Sequence, residues 1–322
     1  MDFTFDETQR EIAGLTAAVL RRDPDQAWKA LGQAGLLTLS TPDRLGGGGL
    51  GVIETCLVLT EVGKAGVVTP AMATLAMGVL PIVHMGTPEQ QDRLLTDVGV
   101  ITAALDGDVT VDDGRLTGRK THVLYAEDAK ALLVAAEQDA YVVDPTDVAV
   151  TRTYSSSGTP EYTLDLNAVQ GERLGDAATL RAFALAGAAA VGDGLLAGAL
   201  HLTSEHVRTR EQFGKPLAAF QAVAQQIADV YVAARTLHLA VWSSIWRLHS
   251  NLDAGLATDV AAYWLAEELP RAMHTCHHLH GGIGVDITYP MHRYYSLSKD
   301  LVRFVGGADQ RLDLLGARCS ST

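Results

Sequence analysis

The spacing of hydrophobic and polar residues divides the chain into three parts. Residues 1–98 and 175–322 carry apolar residues at helical spacing, whereas residues 99–174 alternate short β-branched runs with turn signals. The predicted order is therefore a helical domain, a small antiparallel β domain and a helical bundle. The fold class is α+β, with most residues in helices.

Three signals predict helices in the first part. Residues 52–62 form an apolar helical pattern that follows the glycine run 46–49. Thr87 is expected to cap a later helix, with Pro88 at its first position and Gln90 completing a capping box. The earliest helix should place four apolar side chains on one face: Ile12, Leu15, Val19 and Leu20.

The middle part of the chain has the short patterns of strands, and the last part has the long patterns of helices. Strands are expected over residues 100–105, 115–122, 131–136, 140–143, 148–153 and 162–166. Long helices are expected over residues 178–208, 217–249 and 253–280. The apolar run 183–202 is interrupted by Asp193 and contains several glycines, so we predict a tightly packed interior helix rather than a membrane span.

Charge and cysteine content narrow the function classes. The 322 residues include 25 basic and 38 acidic ones, a formal net charge of −13, which disfavours nonspecific binding to nucleic acid or to anionic membranes. The cysteines, Cys56, Cys276 and Cys319, follow no metal spacing, and the acidic N-terminal segment has no signal-peptide pattern. We therefore expect a cytoplasmic protein with reduced thiols.

Candidate anion-binding groups lie in a segment that reads RTREQFGKPLAAFQ and begins at Arg208. A helix that ends at Arg210, followed by a turn through Gly214, would place a guanidinium beside exposed backbone donors, which suits a pyrophosphate. The alternative is that Arg208 and Arg210 are solvated cations at a helix C-terminus, where the macrodipole favours them. Spacing alone favours this second interpretation.

A second segment, about 70 residues further on, reads HHLHGGIGVDITYPMHRYY. Gly281, Gly282 and Gly284 would allow a ligand to approach the backbone, although glycines also end helices as caps, and spacing alone favours the cap. His274 and His278 have the i, i+4 spacing of metal ligands. No carboxylate or thiol completes such a site, so we expect packing histidines and no metal.

Together these two segments resemble the flavin-binding signatures of the acyl-CoA dehydrogenase family. The resemblance extends over nearly the whole chain, from Phe3 and Phe5 onward, and implies a C-terminal four-helix bundle. In that family an Arg of one subunit reaches the pyrophosphate of the FAD bound to its neighbour, which implies FAD as the cofactor and Arg210 as that residue. The other implied contacts are Gln212, Phe213 and Gln221 around adenosine, Gly281 and Gly282 near the ADP portion, and His278 where the family usually has Gln.

The chain departs from the family at the reactive end of the flavin. The family's catalytic base is a Glu after the Tyr-Pro turn, and the matching position is Val305, which cannot accept a proton. The earlier helix that carries the base in some members has no carboxylate near Ala184. Asp309 is a weak substitute, whose alternative role is a surface or capping residue. The family's ring-binding loop and turn are matched neither by residues 104–108 nor by residues 122–124, and we assign no catalytic residue.

The C-terminal segment also resembles the short subunit of actinobacterial α2β2 acyl-CoA dehydrogenases that act on steroid side chains. This resemblance implies a chain that completes the FAD site of a longer partner subunit. The pair would oxidise a bulky, steroid-derived acyl-CoA to its 2,3-enoyl-CoA and pass electrons to an electron-transfer flavoprotein. Two alternatives stay open: a self-sufficient homo-oligomeric dehydrogenase with a displaced base, and a flavin-free structural subunit. No residue identifies the acyl group.

Overall fold

A computed structural model describes residues 4–97 and 99–320 of the chain, without the side chain of Cys319. Phe3, Val98 and the Cys319 thiol, which enter the expectations above, therefore lie outside the described residues. The chain divides into two compact units. Of the described residues, those within 6–58 and 68–187 form the sheet unit, and those within 4–5, 59–67 and 188–320 form the bundle unit.

Short helices make up the first part of the sheet unit. They are α1 (Glu7–Arg22), α2 (Ala27–Gln33), the beginning of α3 (Val52–Ala65), α4 (Ala71–Thr74), α5 (Leu80–Met85) and α6 (Pro88–Leu95), with a π-helical turn at Leu75–Val79. The predicted capping box of α6 is confirmed. Gln90 N–H donates to the Thr87 hydroxyl at 3.3 Å, and Thr87 N–H donates to the Gln90 side chain at 3.0 Å.

The buried face of α1 differs in one residue from the expectation. Ile12, Val19 and Leu20 are buried, but Leu15 is exposed. The buried stripe follows i, i+4, i+7 and i+8 spacing and passes through Thr16 instead. The Thr16 hydroxyl can be buried because it donates to the Ile12 carbonyl oxygen at 2.7 Å.

Within the described part of the chain, seven strands form one sheet. They are β1 (Ile101–Ala104), β2 (Val109–Asp112), β3 (Arg115–Leu124), β4 (Ala131–Ala136), β5 (Asp139–Val143), β6 (Ala149–Thr153) and β7 (Glu161–Asp176). The strand order is β1-β4-β5-β7-β3-β2, and β6 also pairs with β7. The N-terminal half of β7 pairs with β3 and β6, whereas its C-terminal end pairs with β5, so β7 joins both parts of the sheet.

The sheet departs from the sequence expectation in three details. The last strand continues ten residues past Leu166, because the break in alternation there is a bulge, with Ala168 at a φ of 52°, and not the end of the strand. The four-residue strand β2 was not predicted. One pairing, β1 with β4, is parallel, whereas the other strand pairs of this sheet are antiparallel.

Long helices build the bundle unit. They are α7 (Ala177–Thr209), which enters this unit at residue 188, α8 (Gln221–His249), α9 (Gly255–His280), α10 (Met291–Phe304) and α11 (Gly307–Ser320), together with the end of α3. The three long predicted helices match α7, α8 and α9. Helix α8 starts four residues later than expected, because Leu217–Ala219 form a separate 3-10 turn.

Helix α7 is the interior helix expected from the apolar run. It is long and apolar enough to cross a membrane, yet 83% of its most apolar window is buried inside the protein. Its Gly194 packs against α3, since a Cβ there would lie 1.9 Å from the Thr60 carbonyl oxygen. The buried Asp193 accepts hydrogen bonds from His238 at 2.9 Å and from Trp242 at 3.2 Å. The prediction of a tightly packed interior helix is confirmed.

Candidate functional site

The hairpin that follows α7 carries three of the predicted site residues: Arg210, Gln212 and Phe213. It consists of the short strands β8 (Glu211–Gln212) and β9 (Lys215–Pro216). The Leu217 N–H donates to the Arg210 carbonyl oxygen at 2.8 Å and closes the base of the hairpin. Arg210 therefore leaves the helix at a fixed point, with its side chain exposed to solvent.

Phe213, at the tip of this hairpin, combines backbone strain with exposure. Phe213 and Gly214 have φ angles of 53° and 76°, as a type I′ turn requires, and the Phe213 side chain is 92% exposed. A left-handed conformation costs a residue with a Cβ roughly 1–2 kcal/mol. Its one aromatic neighbour among the described residues is Phe220, at 6.3 Å between ring centroids. A strained and exposed aromatic side chain is typical of a surface that contacts another molecule.

Two further predicted residues are exposed at the ends of long helices. Gln221 is the first residue of α8, and Phe220 before it has an extended backbone. His278 lies in the last turn of α9. Both side chains are therefore available to a ligand, and neither contributes to the packed interior.

The C-terminus of α9 presents bare backbone. Gly281 has a φ of 61° and donates its N–H to the His278 carbonyl oxygen, so it does end the helix as a cap. A Cβ on Gly281 or Gly282 would nevertheless meet no atom within 4 Å. Gly284 differs, because it is buried and a Cβ there would lie 3.0 Å from the His277 carbonyl oxygen. The helix cap at Gly281 therefore does not prevent a ligand from reaching the backbone of Gly281 and Gly282.

Buried polar contacts bring the two segments together. His280 is 4% exposed, with its Nε2 atom 3.2 Å from the Thr203 hydroxyl of α7 and its Nδ1 atom 3.0 Å from the Tyr289 hydroxyl. Its ring packs on that of His206 at 4.4 Å between centroids. The Arg210 N–H donates to the His206 carbonyl oxygen at 2.8 Å, one turn further along. The hairpin and the glycine turn are thus neighbours, as the paired motifs predict.

Burial, followed by nearby positive charge, lowers the pKa values of two histidines in this region. Burial lowers the pKa of His280 to about 4, and the charges of His206 and His277 act in the same direction. The pKa of His206 is lowered by burial first and then by the positive charge of Arg210. Arg208, by contrast, pairs with Glu205 at 2.9 Å, whereas no carboxylate of the described residues pairs with Arg210. At neutral pH His206 and His280 are therefore neutral, and the nearby guanidinium of Arg210 has no carboxylate partner among the described residues.

The histidines of α9 divide differently from the sequence expectation. His277 packs on Tyr295 at 4.8 Å between centroids and His280 is buried, as packing histidines should be. His274 and His278, the pair with metal spacing, are exposed, because they lie on the opposite face of the helix. Among the described residues, no group of three His, Cys, Asp or Glu side chains could hold a metal ion.

The position that the resemblance aligned with the family's base is apolar and enclosed. Val305 is completely buried, its N–H donates to the Leu301 carbonyl oxygen at 3.0 Å, and its own carbonyl oxygen accepts from Arg311. Asp309 is exposed in the first turn of α11, where the helix dipole favours a carboxylate. The structure therefore places Asp309 as the surface and helix-end residue that the sequence offered as its alternative role.

A cavity of ≈ 410 Å³ lies beside Gly306 and Gly307, which follow Val305, and none of its lining residues is acidic. Its wall is mainly apolar and includes Tyr295, Val302 and the backbone of Gly306 and Gly307. Lys299 lines the same cavity, with its Nζ atom 4.6 Å from the centroid of the Tyr295 ring. A space of this size can hold a small organic group, but it offers no carboxylate to take a proton from one.

Sequence reasoning missed Lys120 in the sheet unit. This side chain is 1% exposed, and its Nζ atom donates to the carbonyl oxygens of Leu105 at 3.2 Å and Gly107 at 2.6 Å. Burial lowers the pKa of Lys120 to about 8, assisted by the positive charge of Arg181. Strand alternation could have predicted this, since Leu116 and Lys120 share one face of β3.

Comparison with known proteins identifies the family of this fold. The model of the acyl-CoA dehydrogenase N-terminal domain matches residues 5–99, and that of the C-terminal domain matches residues 181–318. The acyl-CoA dehydrogenase FadE28 of Mycobacterium tuberculosis is 48% identical, and the similarity covers 100% of both chains. This chain belongs to the acyl-CoA dehydrogenase family, whose members are FAD-binding flavoproteins.

Solved structures agree over the full length. The ChsE4–ChsE5 complex from Mycobacterium tuberculosis includes a chain that superimposes with a TM-score of 0.92 at 30% identity, covering 100% of both chains. A variant of the Tcur3481–Tcur3483 steroid ACAD gives a TM-score of 0.92 at 31% identity, covering 98% of this chain and 99% of that one. The mostly helical α+β fold predicted from the sequence is confirmed.

Proposed function

We propose that this chain is the subunit of a heteromeric acyl-CoA dehydrogenase that completes the FAD site and leaves the proton abstraction to a partner. One combined observation carries the proposal. The bundle unit exposes an unpaired Arg210 beside the open backbone of Gly281 and Gly282, whereas the base position holds the buried Val305.

The exposed residues fit the tail of FAD. The guanidinium of Arg210 can make bidentate, charge-assisted hydrogen bonds to a pyrophosphate, and its donors are available because no described side chain pairs with it. Gly281 and Gly282 allow phosphate oxygens to approach the backbone, because no side chain stands in the way. The remaining residues proposed to surround the adenosine half are Gln212, Phe213, Gln221 and His278.

Proton abstraction requires a group that this region lacks. When bound, FAD supplies the acceptor for a hydride from the acyl β-carbon, while a base must take the α-proton. Val305 has no ionisable group, the adjacent cavity has no acidic wall, and Asp309 faces solvent at a helix start. A carboxylate of the partner subunit would therefore remove the proton, and the present chain would hold and orient the cofactor.

The proposed assembly, substrate and electron acceptor rest on similarity to related proteins. Two similar solved structures are a steroid ACAD and a complex of two different proteins. By extension, this chain would form an α2β2 assembly with a longer acyl-CoA dehydrogenase subunit in the cytoplasm. The assembly would oxidise a bulky, steroid-derived acyl-CoA to the 2,3-enoyl-CoA, with an electron-transfer flavoprotein as acceptor.

Reconstitution of activity tests this proposal. The chain is purified alone, together with the acyl-CoA dehydrogenase subunit encoded beside it, and that subunit is also purified alone. Each preparation is assayed with short straight-chain and with steroid side-chain acyl-CoA substrates. We expect dehydrogenation only by the pair, with preference for the bulky substrate. Activity of this chain alone, or full activity of the neighbour alone, would refute the assigned role.

A further inference from the structure

A continuous series of buried and half-buried hydrogen bonds links α7, the end of α9 and the loop before α10. The Thr203 hydroxyl donates to the Ala199 carbonyl oxygen at 2.7 Å and lies 3.2 Å from His280 Nε2. On its other side, His280 Nδ1 lies 3.0 Å from the Tyr289 hydroxyl. Thr203 and His280 are both buried, so water does not compete for these contacts.

Counting the protons on the Thr203 hydroxyl and the His280 ring shows which group donates and which accepts in each of these hydrogen bonds. A threonine hydroxyl has one proton, and Thr203 gives it to Ala199, so the Thr203 oxygen accepts from His280 Nε2–H. A neutral imidazole with its proton on Nε2 has an unprotonated Nδ1, which accepts from the Tyr289 hydroxyl. Both nitrogens of the ring are therefore satisfied only in this one tautomer.

We propose that His280 is the positioning residue of the cofactor site. Its Nε2-protonated ring fixes the Gly281–Gly282 turn, which follows it directly, relative to the helix end that carries Arg210. The ring packing between His280 and His206 makes that connection, because Arg210 lies one turn beyond His206. The inference rests on the proposed function, since it assumes that Arg210 and the glycine turn bind the same FAD.

The first two residues of the glycine turn contribute no side-chain contacts to its position. Gly281 and Gly282 have no side chains, and atoms added at their Cβ positions would contact nothing. A loosened turn would keep every contact residue but lose the arrangement in which they meet a pyrophosphate. Preorganisation of this kind contributes to affinity by reducing the ordering that binding must otherwise impose.

The same ring should make cofactor retention sensitive to acid. The titratable and charged groups around His280 are His206 and Arg210 on the α7 side, Cys276 and His277 on α9, and Tyr289 on the loop. Burial holds the pKa of His280 near 4, so the ring is neutral at neutral pH. Protonation of Nδ1 would convert an acceptor into a donor and break the bond from the Tyr289 hydroxyl.

Four variants of the complex with its partner, the last of which is His280→Gln below, separate this role from simple packing. Tyr289→Phe removes only the hydroxyl, and His280→Phe keeps an aromatic ring without hydrogen bonds. His274→Phe is the matched control, because His274 is an exposed histidine of the same helix. FAD is titrated into each apo complex by flavin fluorescence at several pH values, and the thermal midpoint of each apo complex is measured in parallel.

We expect Tyr289→Phe and His280→Phe to raise the Kd for FAD about tenfold, which corresponds to an unsatisfied buried polar group and a loosened turn. The control should change the Kd by less than about twofold. His280→Gln, which retains one donor and one acceptor, should recover part of the affinity and lose the fall in FAD retention between about pH 5 and pH 4. A purely structural role would lower the thermal midpoint without moving this pH profile.

Two results would overturn the inference in distinguishable ways. If the wild-type complex binds FAD and both Tyr289→Phe and His280→Phe bind it equally well, His280 does not position the site, and the proposed function stands. If the wild-type complex binds no FAD, the proposed function and this inference fail together. If His280→Phe does not fold, the Tyr289→Phe titration decides the question, because that variant deletes a single oxygen atom.

Discussion

Two loops of this chain, one in each compact unit, differ in whether their backbone polar groups are bound by the protein itself. At the end of α9, the backbone of Gly281 and Gly282 faces open space. In the loop after β1, the carbonyl oxygens of Leu105 and Gly107 are bound by Lys120 of the same chain at 3.2 and 2.6 Å. The first loop is available to another molecule, whereas the protein itself satisfies the second.

The contrast is what the proposed function predicts for a chain that holds only one end of the cofactor. The loop after β1 lies where the resemblance predicts the family's ring-binding segment, whose residues it lacks, and the ammonium group of Lys120 binds two of its carbonyl oxygens. The glycine turn keeps its bare backbone and a neighbouring unpaired Arg210. We therefore expect changes at the glycine end to affect FAD and changes at the Lys120 end to affect only folding.

The largest effect is expected for Arg210→Ala in the complex with the partner. Loss of a charge-assisted contact to a pyrophosphate should weaken FAD binding by roughly 1.5–3 kcal/mol, which is about a tenfold to hundredfold rise in Kd. Flavin fluorescence titration measures this directly. Arg208→Ala is the matched control, since Arg208 ends the same helix but already pairs with Glu205. Equal losses for both variants would mean that only the general charge of the helix end matters.

A smaller effect on FAD, with an added effect on stability, is expected for Gly281→Ala. The φ of 61° at Gly281 lies in the left-handed region, so a Cβ there costs roughly 1–2 kcal/mol although it would meet no neighbour. Gly282 lacks this constraint. Gly282→Ala should therefore weaken FAD binding while leaving the thermal midpoint of the apo complex unchanged. This account of the turn would be contradicted if Gly282→Ala lowered the thermal midpoint, or if Gly281→Ala left it unchanged.

Lys120→Met, which removes the ammonium group bound to the loop after β1, is expected to affect folding alone. Burial lowers the pKa of Lys120 from 10.5 to about 8 in the folded chain. Between these values the unfolded chain binds more protons, so Lys120 makes the free energy of unfolding rise as the pH increases from about 8 to about 10.5. Urea unfolding of Lys120→Met across this range should lack that contribution, whereas the exposed Lys29→Met should retain it. FAD affinity of the complex should be unaltered, and a large loss there would show that the two loops are not functionally separate.

The smallest effect is expected for Asp309→Asn. Asp309 is exposed at the start of α11, so its removal should cost no more than roughly 0.3–1 kcal/mol of favourable helix-dipole interaction. Dehydrogenase activity of the complex should stay within about twofold of the wild type. Loss of activity with FAD still bound would identify Asp309 as a displaced base and favour a self-sufficient enzyme.

The sequence predicted those parts of the structure that depend on local chemistry. The Thr87 capping box and the apolar α7 follow from neighbouring residues, and both were predicted correctly. The contact between His280 and Thr203, 77 residues apart, depends on which surfaces the fold brings together, and helical spacing could not show it. Strand alternation in β3 indicates the burial of Lys120, but not its carbonyl partners at Leu105 and Gly107, which lie in another loop. The roles of Arg210 and the other cofactor residues stay predictions, as do the boundaries of the three predicted domains.

The most direct test of the central claim is a count of flavins in the assembled complex. Native mass spectrometry gives the subunit composition, and flavin absorbance of the same sample gives the FAD content per chain. We predict one FAD for each pair of unlike chains and no stoichiometric FAD on this chain when it is purified alone. One FAD per chain, or a fully loaded and active preparation of this chain without its partner, would contradict the account.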